Sequence, residues 1–96
     1  MTEKRAGQGH AERQGKAIER EILRLLKERG EDKTICPSEA ARAIAGSDVR
    51  EEWEPLMDPV RIAGNRMAGE GKIVVTQKGR VVDGGTAKGA IRFRLR

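Results

Sequence analysis

Residues 91–96, IRFRLR, alternate strictly between apolar and basic side chains. This two-residue period is typical of an antiparallel β-strand with one face on the core and the other in water. The segment KIVVTQ, 72–77, is rich in β-branched residues and offers a partner strand. We therefore predict that 72–77 pairs with 91–96. The intervening KGRVVDGGTAKGA, 78–90, is predicted to be a long, basic, glycine-rich loop in which two valines extend the pairing briefly.

The upstream sequence has the period of α-helices instead. Within 16–29, apolar residues recur every three or four positions, which predicts an amphipathic helix that Gly30 ends. A short extended segment follows at 33–35. Pro37 then loses no hydrogen bond at the first position of a helix, so the alanine-rich run 37–45 is predicted to be the second helix.

A third helix is predicted over residues 59–70. The stretch 55–71 contains two prolines, and a single helix through both would break a backbone hydrogen bond. We therefore expect a turn first, with Asp58 as the N-cap and Pro59 at the first helical position. The segment before it, 47–54, is expected to be a polar connection.

Composition limits the size of the core and the class of protein. The chain has 96 residues, 36% of them apolar, with Trp53 and Phe93 as the only aromatic residues. This suits one small aliphatic domain, predicted over 16–96, after a disordered polar leader, 1–15. No apolar run approaches the roughly 18–20 residues that span a bilayer, and the charged start lacks a signal peptide's apolar stretch. We expect a cytoplasmic protein without a membrane partner.

The single cysteine, Cys36, bears on whether the chain is an enzyme. One cysteine and one histidine, His10, supply too few ligands for structural zinc. Nucleophilic catalysis would need a base held by a third group, while Glu39 and Asp32 would disfavour a thiolate. We interpret Cys36 as a structural residue at the start of a helix. The chain is predicted to be no enzyme and to use no cofactor or metal.

Two other patterns could bind a ligand, and both are better explained otherwise. Carboxylates surround Trp53 in the segment 48–54 and could hold a divalent cation, but their spacing matches no calcium loop. We interpret them as a solvated acidic connection. The pair Gly84–Gly85 is followed by neither the Lys-Ser/Thr of a phosphate loop nor a βαβ unit, so no nucleotide site is predicted.

Positive charge is concentrated in the last third of the chain. Residues 1–60 carry 11 Lys/Arg against 13 Asp/Glu, a net of −2, whereas residues 61–96 carry 9 against 2, a net of +7. Such asymmetry is typical of a surface that faces a polyanion. With almost no aromatic residues to stack on bases, duplex DNA is favoured over single-stranded RNA.

The candidate nucleic-acid-binding residues fall into two groups. Those of the third predicted helix could reach base edges in a major groove, and those of the loop could contact phosphates or the minor groove. The first group is Arg61, Asn65 and Arg66, and the second is Lys78, Arg80 and Lys88. The alternating arginines at 92, 94 and 96 are expected on the outer face of the hairpin, away from DNA.

The order of these elements is that of a winged helix, an α+β, mainly helical fold. A three-helix core with a helix-turn-helix would carry a C-terminal β-hairpin wing. Four segments also resemble an uncharacterised bacterial family of small winged-helix domains of unknown function. They are TICPSE (34–39), WEPLM (53–57), GKIVVTQKGRVVD (71–83) and KGAIRFRL (88–95). The resemblance covers about residues 17–95; it implies the fold and carries no activity.

The sequence thus predicts a non-enzymatic winged-helix DNA-binding domain, of a kind that serves transcription regulation, with helix 59–70 and the basic loop as its interface. The alternative is a protein–protein docking module, because winged helices also serve that purpose and a fold does not fix a function. An acidic protein partner or self-association would fit the same charge asymmetry.

Overall fold

A computed structural model describes the backbone of residues 2–96 and the side chains of residues 14–96. Helices come first along the chain and strands mostly last, so the predicted α+β, mainly helical class is confirmed. The elements are α1 (Thr2–Arg29), β1 (Thr34–Ile35), α2 (Pro37–Ala45), α3 (Arg50–Trp53), a 3₁₀ turn (Glu54–Leu56), α4 (Met57–Gly69), β2 (Ile73–Gln77), β3 (Arg80–Val82) and β4 (Arg92–Leu95). Among the helices in this part of the chain, none has the length and apolarity to cross a membrane.

The four strands form one antiparallel sheet in the order β1-β4-β2-β3. The predicted pairing of 72–77 with 91–96 is confirmed, since Ile73 lies opposite Leu95 and the register continues to Thr76 opposite Arg92, the first residue of β4. Strand β4 is central, because the predicted extended segment before Cys36 forms β1 and pairs with its other edge. The strict alternation of β4 therefore buries one face in the core.

The predicted loop 78–90 is not a single loop. Lys78 and Gly79 have φ angles of 52° and 81° and form a tight turn, after which β3 pairs with β2. Two-residue hairpin turns of type I′ need positive φ at both positions, which glycine at the second position makes easier. The chain then returns to β4 through residues 83–91, called the return loop below. The valines that were expected to extend the pairing lie in β3, which with β2 forms the hairpin.

The core lies between the helices and the inner face of the sheet. Phe93 of β4 is fully buried at its centre, opposite Ile35 on one side and Val75 on the other. Helices α1, α2 and α4 cover it with mostly aliphatic side chains, as the apolar periodicity predicted. The buried helical residues are Ile18, Ile22, Leu26, Ala40, Ala41, Val60, Ala63 and Met67.

Helix α1 begins at Thr2, upstream of the start predicted near residue 16. The added stretch has no proline and is rich in Ala, Glu, Lys, Arg and Gln, which lose little side-chain freedom in a helix. The side chains of residues 1–13, including His10, lie outside the described part of the chain. The leader predicted over 1–15 falls mostly on them and stays a prediction.

The predicted start of the third long helix is wrong by two residues. The helix α4 begins at Met57, so Asp58 lies in its first turn and is no N-cap. The backbone of Leu56 already has helical angles, because the 3₁₀ turn runs directly into α4. Pro59 is tolerated at the third helical position, since the first N–H groups of a helix have no partner within it. The polar connection before it also folds further than expected, into the short helix α3.

Candidate nucleic-acid interface

The hairpin and the return loop enclose a surface groove with a basic lining, called the basic groove below. It brings together the three loop residues predicted to bind nucleic acid, and adds Arg92 of β4. The lining residues are Cys36, Gln77, Lys78, Arg80, Val82, Lys88, Gly89, Ala90, Ile91 and Arg92. None of them is acidic. Among the side chains of residues 14–96, no carboxylate lies within ion-pairing distance of Lys78, Arg80 or Lys88.

Two side chains hold the far end of the return loop through its backbone carbonyls. The amide Nε2 of Gln77 donates to the carbonyl of Lys88 at 2.5 Å and to that of Ala90 at 3.3 Å. The guanidinium of Arg61 donates to the carbonyl between them, that of Gly89, at 3.4 Å. Three consecutive carbonyl groups are therefore bound from β2 and from α4. This fixes the position from which Lys88 faces the basic groove.

The near end of the return loop folds around Asp83 and packs on α4. The Asp83 carboxylate accepts a hydrogen bond from Gly85 N–H at 2.8 Å. Gly84 then passes so close to β2 and α4 that a Cβ would lie 2.9 Å from Val75 Cγ2 of β2 and closer still to Asn65 Oδ1 of α4. Only a residue without a side chain allows that approach.

Asn65 lies beneath this part of the loop, which covers part of its side-chain amide. Its Oδ1 atom is buried and accepts no hydrogen bond within the described structure. A bidentate contact to adenine needs both ends of the amide. The Asn65 oxygen packs under Gly84, and the predicted contact of this residue with a base stays a prediction.

Arg66 lies on the other side of α4, next to α1. Its guanidinium is 3.9 Å from the carboxylate of Glu19, and its Nη1 atom is 3.7 Å from the position of a Cβ on Gly15. The predicted helical group is thus divided, because Arg61 and Asn65 lie under the return loop and Arg66 does not. Successive residues of a helix are turned by about 100°, which separates positions 65 and 66 on its surface.

Arg92 lines the basic groove, although it was not among the predicted binding residues. Its Nε donates to Thr34 Oγ1 at 2.5 Å, and its Nη1 approaches Cys36 Sγ at 2.8 Å. Arg92 is exposed on the outer face of the sheet, as expected, and the pairing of β1 with β4 draws its side chain to the edge where α2 begins, beside the loop residues. The expectation that it lies away from DNA stays a prediction. The extended segment before Cys36 indicated a further strand, but the sequence does not show which strand it pairs with.

Cys36 occupies the N-cap of α2, as its interpretation as a structural residue predicted. Its backbone carbonyl accepts from Glu39 N–H at 3.0 Å, and its own N–H donates to the Glu39 carboxylate at 3.2 Å. Such reciprocal bonding satisfies backbone groups that the start of a helix leaves free. The thiol is half-buried at one end of the basic groove.

Glu39 holds the start of α2 to its surroundings by charge as well. Its carboxylate is 2.5 Å from the Arg29 guanidinium at the end of α1, and 3.9 Å from that of Arg92. Partial burial acts to raise the pKa of Glu39, but the hydrogen bonds from Cys36 N–H and Arg29 outweigh it, so the pKa lies below the ordinary value of 4.5. The ionised form is thus favoured in the folded state.

Replacing Glu39 with glutamine is expected to remove part of the acid sensitivity of the fold. A carboxyl group with a lowered pKa contributes stability that is present above pH 4.5 and lost as the pH falls through the folded-state pKa. The difference in free energy of unfolding between wild type and Glu39→Gln should therefore be largest near neutral pH and shrink below pH 4.5. Urea denaturation at several pH values measures it.

The matched control is Glu51→Gln, because Glu51 is exposed and has no cation within ion-pairing distance in the described residues. Its unfolding free energy should follow that of wild type across the same pH range. A difference for Glu39→Gln that does not change with pH would contradict the assignment.

The acidic residues around Trp53 do not form a metal site in the described part of the chain. No group of three His, Cys, Asp or Glu side chains among residues 14–96 is arranged to hold a metal ion. Glu54 instead pairs with Arg50, one helical turn earlier. The Arg42 guanidinium carbon lies 5.3 Å from the centroid of the Trp53 ring, and the indole N–H of Trp53 donates to the Asp48 carbonyl.

Comparison with known proteins bears on the family of the chain. The model of a protein family described as "Protein of unknown function (DUF3253)" matches residues 15–96. No curated protein matches the chain.

Proposed function

We propose that the chain, which belongs to the DUF3253 family, is a non-enzymatic winged-helix domain that binds duplex DNA. The family agrees with the resemblance found in the sequence and assigns no activity. The observation that carries this proposal is the basic groove. Lys78, Arg80, Lys88 and Arg92 come from three separate segments and line one surface that has no carboxylate in its lining. Lys78, Arg80 and Lys88 have no carboxylate within ion-pairing distance among residues 14–96, whereas Arg92 lies 3.9 Å from that of Glu39. Cations that converge in this way are suited to a row of phosphates.

The order and topology of the elements support the winged-helix part of the proposal. Three helices, α1, α2 and α4, precede the hairpin, and β1 lies between the first two of them. The strand that ends the domain, β4, is inserted between β1 and β2. The return loop that follows the hairpin lies beside α4, where Arg61 donates to the Gly89 carbonyl and Gly84 packs on Asn65. This placement supports the assignment of the hairpin and return loop as a wing.

The distribution of aromatic side chains favours a duplex over a single strand. Phe93 is fully buried, and Trp53 is half-buried with one face covered by Arg42. Proteins that bind single strands usually stack bases on exposed aromatic rings. The basic groove offers charge without such rings, so it fits the regular phosphate backbone of a duplex.

Titration of a fluorescently labelled 20-base-pair duplex of mixed sequence, at several salt concentrations, tests the function. If the four groove cations each neutralise one phosphate, the logarithm of the association constant should fall against the logarithm of salt concentration with a slope of about −3.6. Between about 50 and 200 mM salt the affinity should therefore drop about a hundredfold.

Absence of salt-dependent binding at low ionic strength would contradict DNA binding. The docking module would then be the better proposal, with an acidic protein or a second copy of the chain as the partner. Sedimentation equilibrium at the same salt concentrations would detect self-association. A non-enzymatic domain should bind the duplex without altering it, which gel analysis of the recovered DNA checks.

A further inference from the structure

We infer that the duplex is held by the hairpin and the return loop without readout of base sequence by α4, and that Gln77 is the residue that positions the loop. The inference rests on the proposed function, and it concerns how the same surface binds. It departs from the expectation that a helix of the domain enters the major groove and reads bases.

The three side chains of α4 that could read bases are all engaged elsewhere. Arg61 donates to the Gly89 carbonyl of the return loop, and the Asn65 oxygen is buried under Gly84. Arg66 lies on the α1 side, near the Glu19 carboxylate. Base readout needs donors and acceptors that are free to meet a groove edge. None of these three residues offers a free donor and acceptor for a base edge on the side of α4 that faces the hairpin.

The remaining exposed surface of α4 is unsuited to a polyanion. Asp58 in its first turn is exposed, has no cation within ion-pairing distance among residues 14–96, and would repel phosphates. Glu70, just after the last residue, is exposed and paired with Lys72 at 3.3 Å. Ile62, between them, exposes 60% of its surface and has no polar atom to offer a base edge. A recognition helix would have to bring these groups against the DNA.

The hairpin and the return loop, unlike the exposed surface of α4, present basic side chains to solvent. Lys78 lies at the tip of the hairpin, Arg80 starts β3, and Lys88 extends from the return loop, and all three are exposed. The backbone behind Lys88 is held by the amide of Gln77, which reaches the carbonyls on both sides of Gly89. Gln77 bears no charge, so its contribution to binding would act through the position of Lys88.

The variant Gln77→Leu tests this role, because it removes the amide without changing the net charge. Affinity for the mixed-sequence duplex should fall about tenfold near 0.1 M salt, and the salt slope should become less negative by about 0.9, as expected when one phosphate contact is lost. A merely structural role would change stability and leave the slope unchanged. Gln77→Ala removes the same donor with less bulk and should give the same slope.

Hydrogen exchange of the backbone amides supplies a readout that needs no DNA. In both Gln77 variants, exchange should accelerate in the return loop, residues 83–91, and stay unchanged in β4 and the helices. An unchanged exchange rate in the loop, or an unchanged salt slope, would overturn the positioning role.

Base readout is tested with three duplexes of equal length, one rich in A·T, one rich in G·C and one mixed. Wild type should bind all three within about threefold, and Arg66→Gln should bind each about as well as wild type. A preference of about tenfold or more, which one bidentate base contact would give, together with its loss in Arg66→Gln, would overturn the inference but leave DNA binding in place. If wild type binds none of the three, both proposals are wrong.

Discussion

Replacing Gly64 with alanine should destabilise the fold by about 3 kcal/mol or more, close to the upper range for overpacking a core. A methyl group at this position would lie 2.5 Å from Cε1 and 3.0 Å from Cε2 of Phe93, and closer still to Cζ. The ring cannot retreat, because Phe93 is fully buried in the central strand between Ile35 and Val75. Helix α4 would have to move away from the sheet instead.

Gly69 is the matched control, since it also lies in α4 but a Cβ added there would meet no atom within 4 Å. Alanine should stabilise the exposed end of the helix by up to about 1 kcal/mol. Urea denaturation of both variants measures the contrast. Similar free energies of unfolding for Gly64→Ala and Gly69→Ala would show that the helix does not approach the sheet as closely as described.

Neutralising the three exposed cations of the hairpin and return loop should cause the largest loss of DNA affinity. In the triple variant Lys78→Ala, Arg80→Ala, Lys88→Ala, three phosphate contacts are removed at once. The salt slope should become less negative by about 2.7, which corresponds to a loss of affinity of about two orders of magnitude or more near 0.1 M salt. The loss should be similar for all duplex sequences, because phosphate contacts carry no sequence information.

The control for charge alone is a second triple variant on α1, Lys16→Ala, Arg20→Ala, Lys27→Ala. These residues are exposed, and alanine is favoured in a helix. The net charge falls by the same amount, from +5 to +2, but the basic groove keeps its lining. Affinity within about threefold of wild type is expected. If the groove variant binds as well as wild type, or if both triple variants lose affinity equally, the groove is not the binding surface.

Elements with local signals could be predicted from the sequence. Pro37 starts α2, because a proline at the first helical position loses no hydrogen bond, and the predicted range 37–45 is that of the structure. The alternation at 91–96 indicated both the strand and its buried face, since a two-residue period leaves one face apolar. The balance of charge along the chain also indicated which third of it is basic.

Which of those basic residues share a surface could not be predicted, because it depends on tertiary packing. Asn65 and Arg66 are neighbours in sequence, yet the amide oxygen of Asn65 is buried under the return loop and Arg66 faces α1, since an α-helix turns by about 100° per residue. The pairing of β1 with β4 brought Arg92 into the groove across more than fifty residues of chain. The hydrogen bond of Arg61 to the return loop likewise depends on how α4 packs on the sheet, and that of Gln77 joins residues eleven positions apart. Both are set by tertiary contacts and not by any local pattern.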